Sequence, residues 1–132
     1  MFFLLLCVFI AAVMPVVCAG IAKGGAMGKP RREGGFDNAA PRDWLAKQTG
    51  YRARANAAQQ NCFEALPFFV GAIAIALALN VPHETLALLA ALWVALRTAY
   101  VAAYLANVAN LRSVIWICAL IVNAVILFLP LR

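Results

Sequence analysis

The sequence predicts an all-α integral membrane protein, a four-helix bundle embedded in lipid, and three observations lead there. Hydrophobic residues make up 66% of the 132 and charged residues 12%, against roughly half and a quarter in a soluble domain. The mean hydropathy is +0.89, a surplus of apolar surface that one small aqueous core does not bury. The apolar residues also fall in four runs, each near the roughly 20 residues that a helix needs to cross the hydrocarbon at 1.5 Å per residue. Those runs consume most of the chain. It therefore reads as a single transmembrane domain, 1–132, with helices at about 2–22, 51–80, 84–107 and 112–131.

The first run, Phe2 to Ile21, is interrupted by Pro15 and has nothing charged ahead of Lys23. A cleaved secretory signal carries a basic stretch before its apolar core, so a retained spanning helix is expected. Next comes a segment rich in Gly, Lys and Arg, about 23–50, with Lys23-Gly24-Gly25 and Arg31-Arg32-Glu33-Gly34-Gly35, which reads as a flexible loop. Eight of the eleven Lys and Arg residues lie between Lys23 and Arg54, beside Glu33, Asp37 and Asp43, so most of the net charge of +6 sits in this segment. A basic cluster beside spanning helices orients the chain with that loop in the cytoplasm, and nucleic-acid binding is not expected. Both termini and the Asn80-Val81-Pro82-His83 turn then lie on the opposite face, and the loop near Arg112 is cytoplasmic. Pro41, followed by Arg42 and Asp43, is a helix-start signal, so the second helix begins there or after Gly50.

That second helix is polar at first, with Arg52, Arg54, Asn56, Gln59, Gln60, Asn61 and Glu64, and apolar from Ala65 to Leu79. The turn after it is short enough to force a helical hairpin. The third run carries Arg97, Tyr100 and Tyr104 in its second half; the fourth has Asn123 as its strongly polar interior residue and ends at Pro130 and Arg132. Cys7, Cys18, Cys62 and Cys118 stand singly in apolar runs, with neither zinc spacing nor a disulfide framework, and read as small fillers; no metal site is expected. His83, in the far turn, reads as solvated.

Charge inside a membrane helix is costly, by several kcal/mol on insertion scales, so Glu64 and Arg97 require partners or water and are the functional candidates. At 3.6 residues per turn Arg54 and Asn61 share nearly one face, with Glu64 a turn further on. Arg97, Tyr100, Tyr104 and Asn107 make a second stripe, and Arg112 and Trp116 a third. The first loop and the Arg112 loop share a membrane face, so these stripes lie at similar depth and are expected to converge. Cations, amides and phenols together suit an anionic, peptide-like ligand. A purely structural alternative stands beside this: Arg97 pairs with Glu64 to lock two helices, and the tyrosines with Trp116 form an interfacial belt.

Arg54 followed by Ala58, Asn61, Glu64 and Pro67-Phe68, then Arg97, Tyr100 and Tyr104, then Arg112-Ser113 resembles the membrane-associated proteins in eicosanoid and glutathione metabolism, the MAPEG family. The resemblance covers the chain behind the first helix. Gly34-Gly35-Phe36-Asp37-Asn38 with Pro41-Arg42 is similar to its bacterial branch, which implies a bacterial inner membrane. The resemblance also implies a homotrimer with glutathione as co-substrate, held between neighbouring subunits near the cytoplasmic face. Asn61, Glu64, Arg97, Tyr100 and Tyr104, together with Arg54, are then the glutathione-binding residues. Arg112 becomes the thiol-activating residue, a role with a physical rationale because a nearby cation favours thiolate over thiol. The sulfur would attack a hydrophobic electrophile or reduce a peroxide admitted from lipid. Two basic positions of the glutathione-using enzymes are Ala57 and Gln60 here, and Trp116 replaces a tyrosine of the prostaglandin-isomerising member. The family also has a non-enzymatic member, so the second expectation is a non-catalytic protein that binds a small lipophile or a protein partner.

Overall fold

Residues 1–131 are described by the structure, a computed structural model. Its elements are α1 (Phe2–Lys23), a 3-10 turn (Arg31–Glu33), α2 (Pro41–Ala46), α3 (Gly50–Ala78), α4 (His83–Leu105), α5 (Ala109–Phe128) and a closing 3-10 turn (Leu129–Leu131). The four long helices are long and apolar enough to cross a membrane, and the chain is an integral membrane protein. Arg132, which ends the fourth run in the sequence, lies outside the described residues. The chain runs up and down: α1 packs against α3 and α4, and α5 packs against the same two helices. The α3–α4 pair is thus the centre of the bundle, flanked by α1 on one side and α5 on the other.

Residue spacing explains which faces meet. The buried residues of α1 are Leu4, Cys7, Ala11, Pro15, Cys18 and Ala22, a three-four alternation that draws one stripe down the helix. Phe2, Phe3, Leu5, Phe9, Val16 and Val17 lie off it and are exposed to lipid. Lipid removes the hydrophobic drive between helices, so association depends on close packing of small side chains. Cys18 meets Ala58 and Cys62, and Ala22 meets Ala55 and Leu45. Toward the opposite end the contacts become larger. Phe69 of α3 stacks on Trp93 of α4 with centroids 4.0 Å apart and planes 6° from parallel, inside a cluster that includes Leu4, Leu86 and Ile126.

Two asparagines terminate the central helices. Asn80 and Asn107 each have φ of 62°, a left-handed conformation that asparagine tolerates better than most residues. The N–H of Val81 donates to Ala76 O at 3.0 Å and that of Asn80 to Leu77 O at 3.0 Å. Val108 and Asn107 repeat the pattern on Ala103 O and Tyr104 O, at 3.0 and 3.1 Å. Both ends are Schellman turns. The Asn80 turn stops α3 at Ala78, and the Asn107 turn stops α4 at Leu105, short of the 107 expected, and lets α5 begin at Ala109, ahead of the 112 expected.

The basic segment corrects the expectation of a flexible loop, because it is folded. Phe36 N–H donates to Ala26 O at 2.9 Å and Gly35 N–H to Pro30 O at 3.1 Å. The Lys23 ammonium lies 4.6 Å from the Phe36 ring centroid, and that ring meets Trp44 edge-on at 5.3 Å. Arg52 and Tyr51, at the start of α3, donate to Gly24 O at 3.1 and 3.3 Å. Glycine and charge content dominate a sequence reading of this segment, yet Phe36, Trp44 and Leu45 give it an apolar inner side. Pro41 does start a helix, but that helix is the short α2; the second span starts separately at Gly50.

Candidate functional site

Arg97 sits at 1% exposure in the bundle, eight residues before the end of α4 and so about 12 Å along the helix from it. Its Nη2 donates to Asn61 Oδ1 at 2.9 Å and to Cys62 Sγ at 3.5 Å. The guanidinium carbon lies 4.4 Å from the Tyr100 ring centroid and 5.9 Å from that of Trp93. Burying a cation requires this compensation: a charge-assisted hydrogen bond plus ring faces worth about 0.5–2 kcal/mol each.

Glu64 is not the direct partner of Arg97 that the structural alternative supposed. Among the described residues the ion pairs are Arg31–Asp37 and Arg32–Glu33, both in the loop. Asn61 stands between the two charges, accepting from Arg97 through Oδ1 and donating through Nδ2 to Glu64 Oε2 at 3.3 Å. An amide is both donor and acceptor, which is what a link between guanidinium and carboxylate needs.

The stripe continues toward the loop side. Tyr100 and Tyr104 pack edge to face at 5.6 Å, and the Arg112 guanidinium lies 4.3 Å from the Tyr104 ring centroid. Arg112 is in the first turn of α5, where the helix dipole is itself positive, and among the described residues no carboxylate pairs with it. A cavity of about 310 Å³ opens here, lined by Asn61, Tyr100, Tyr104, Arg112, Ser113 and Trp116. A second, of about 150 Å³, adjoins it through Asn61 and Trp116 and reaches deeper, past Glu64 and Arg97 to Asn123.

Six of the expected residues, Asn61, Glu64, Arg97, Tyr100, Tyr104 and Arg112, therefore line two adjoining cavities among α3, α4 and α5. Arg54 goes elsewhere. Its Nε donates to Leu105 O at 3.0 Å, satisfying a carbonyl at the end of α4. Trp93 and Phe68 wall the deeper cavity; Phe68 entered the sequence reading only as part of the family resemblance, and Trp93 did not enter it. Trp93 was within reach, since it lies one turn before Arg97 on the same stripe. On the other side of α4 an apolar groove of about 380 Å³ runs along α1, lined by Phe9, Val13, Met14, Val17, Val101 and Leu105 among others.

The arrangement offers a polar ligand two guanidiniums, two phenols, an amide and a carboxylate in the loop-side part of a lipid-embedded bundle. No curated protein and no solved structure matches the chain. The model of the MAPEG family matches residues 3–132, a span that takes in all four membrane helices and both cavities, and the chain belongs to the MAPEG family.

Proposed function

We propose that this chain is a glutathione-dependent transferase or peroxidase acting on a lipophilic electrophile, working as a homotrimer in a bacterial inner membrane with its basic loop in the cytoplasm. The observation that carries the reading is the cavity of about 310 Å³ in which Asn61, Tyr100, Tyr104 and Arg112, unpaired with any carboxylate among the described residues, converge. A cation at the positive end of a helix dipole attracts an anionic ligand. Glu64, linked to Asn61 through one oxygen, retains acceptor capacity for a ligand ammonium.

In the transferase reaction the glutathione sulfur, held as thiolate beside Arg112, forms a C–S bond to the electrophile as the leaving group departs, or as the electron pair moves onto an acceptor atom that is then protonated. In the peroxidase reaction two thiols become one disulfide while the hydroperoxide becomes alcohol and water. The membrane side supplies the second substrate in either case. Glu64 is exposed on the surface of the single bundle, inside a segment that spans lipid. A bare carboxylate there is costly, which supports a neighbouring subunit covering it.

Ala57 and Gln60 favour a second reading, since neither carries the positive charge a doubly carboxylated peptide would use. On that reading the protein binds a lipophile or a partner without catalysis. Calorimetry with glutathione and purified protein separates the two. Saturable heat that is lost in Arg112→Ala supports the enzyme, and no heat from a protein that remains folded leaves the non-catalytic reading. Native mass spectrometry in mild detergent tests the trimer, against which a monomer in several detergents would count.

A further inference from the structure

Cys18 of α1 takes no part in the site described so far, and Cys62 of α3 enters it only as an acceptor for Arg97. Both are free thiols, 1% and 4% exposed, and they pack together with Ala58 where α1 meets α3. The other two cysteines stand apart: Cys7 lies in the large cluster around Phe69 and Trp93, without a second cysteine, and Cys118 is exposed. Close packing of lipid-embedded helices needs only small side chains, and Ala22 and Ala55 provide it one turn away. Two facing thiols add chemistry that alanine lacks. The Arg97 Nη2 donates to Cys62 Sγ at 3.5 Å, and a guanidinium is the partner that a thiolate, the nucleophilic form, needs inside hydrocarbon. Cys18 in turn forms part of the wall of the apolar groove of about 380 Å³ between α1 and α4, with Phe9, Val17 and Val101. The one hydroxyl of that lining, on Thr98, is committed to Val94 O at 2.9 Å. A charged peptide does not suit such a lining, whereas an uncharged ring with an apolar tail does.

We infer that Cys18 and Cys62 are a redox-active dithiol, and that a quinone dissolved in the bilayer, seated in the groove between α1 and α4, oxidises them to a disulfide. Cys18 borders the groove and Cys62 lies behind it, so Cys18 meets the quinone. Its sulfur forms a C–S bond to the ring, and the Cys62 thiolate, held by Arg97, then attacks that sulfur. The S–S bond forms as the C–S bond breaks, the electron pair stays with the ring, and the two thiol protons end on the quinone oxygens. Two thiols are oxidised and one quinone becomes a quinol, with nothing released into the hydrocarbon. A hydroperoxide would have to shed water or an alcohol there. Quinones do serve as the final oxidants of protein dithiols. The disulfide no longer offers Arg97 a thiolate, so the redox state of the pair is felt at a residue that lines the deeper polar cavity. The inference is independent of the glutathione reading, because the groove lies on the other side of α4 from the cavities that reading uses.

The test uses the full chain in phosphatidylcholine nanodiscs, with Cys7→Ala and Cys118→Ala so that Cys18 and Cys62 are the only thiols. Decylubiquinone is added without oxygen. Expected are the loss of both thiols to maleimide labelling, a mass decrease of two hydrogens per chain, and an equal amount of quinol by ultraviolet absorbance. Adding Cys18→Ala or Cys62→Ala, each small and apolar enough to keep the bundle folded, is expected to abolish quinol formation. Diamide, a small azo oxidant of thiols, serves as the comparison, since it closes a facing pair without needing the groove. Val17→Trp, at a position 54% exposed in the groove wall, fills the groove from the lipid side. It is expected to slow oxidation by the quinone several-fold and to leave oxidation by diamide unchanged. Closure by diamide but not by decylubiquinone overturns the quinone and leaves a groove that holds only a lipid chain. Two thiols that survive both oxidants in a folded protein overturn the pair itself. An unaltered quinone rate in Val17→Trp overturns the groove as the place where the quinone sits. Calorimetry with glutathione decides the proposed enzyme separately, whatever the quinone does.

Discussion

Arg97 and Glu64, the two charges that sequence reasoning placed inside the membrane, are joined through Asn61 and do not meet directly. The relay has a consequence for the site. A direct pair would neutralise each charge with the other, whereas a bridging amide occupies one oxygen of Glu64 and leaves the other able to accept. The same amide lines both cavities, so the group that steadies the buried cation also faces the ligand space. On the proposed glutathione reading, stability and binding are coupled at this residue.

Asn61→Leu removes the oxygen that accepts from Arg97 and leaves a buried guanidinium with a sulfur and two rings. Loss of a hydrogen bond to a charged group costs about 1.5–3 kcal/mol, and the variant is expected to lose about that much in reversible unfolding in detergent. Glu64→Gln, at an exposed position, should lose under about 1 kcal/mol. Equal losses in the two variants would mean that Arg97 depends on the carboxylate and not on the amide.

Hydropathy made the four long helices legible, and helical spacing gathered Arg97, Tyr100 and Tyr104 onto one face, because period and length are properties of a single segment. Destinations across helices were less legible. Arg54 and Asn61 share a face of α3, yet Arg54 reaches the Leu105 carbonyl while Asn61 reaches the Arg97 guanidinium. The difference arises from their heights along α4, which depend on where the Asn80 turn stops α3. The loop was illegible for another reason: its order comes from Phe36 and Trp44 meeting each other, two aromatics eight positions apart amid glycines and charges.

Gly35 tests that order. A Cβ there would collide with the Lys29 carbonyl, because the chain folds back on itself between Ala26 and Phe36. Gly35→Ala is therefore expected to open the turn and leave the bundle intact. Trypsin should cut after Arg31 and Arg32 several-fold faster than in the wild type, with helicity by circular dichroism unchanged. An unaltered cleavage rate would show that the turn is not what protects these sites.

The orientation follows from the position of charge. With the loop from Lys23 to Gly50 in the cytoplasm, four crossings place both ends of the described chain on the far side. A reporter active only in the cytoplasm should be silent when fused after the last residue and active when inserted in the Arg31–Glu33 turn. The reverse result would invert the protein and put the Arg112 cavity on the other membrane face.

Arg112 distinguishes the enzyme from the alternatives most sharply. Two roles compete for it: a cation that activates the glutathione thiol, and an anchor that snorkels to the interface from the first turn of α5. Its guanidinium lies 4.3 Å from the Tyr104 ring centroid in the wall of the larger cavity, which positions it for a ligand but is also compatible with an anchor. Arg112→Lys separates the roles. Lysine keeps the charge and snorkels equally well, so an anchor survives the exchange. A guanidinium that orients a thiolate does so with a planar fork that lysine lacks. On the catalytic role, glutathione affinity should change by less than about threefold while turnover with a generic electrophile falls about 10–100-fold, or about 1.4–2.7 kcal/mol of transition-state stabilisation. The sign with pH follows. If arginine stabilises the bound thiolate and lysine does so less well, the ultraviolet absorbance of that thiolate appears at higher pH in the variant, and activity recovers as pH rises. Tyr104→Phe, which retains the ring face, should leave the thiolate titration near wild type. Wild-type thiolate formation and turnover in Arg112→Lys would assign Arg112 to anchoring and leave activation of the thiol to another group.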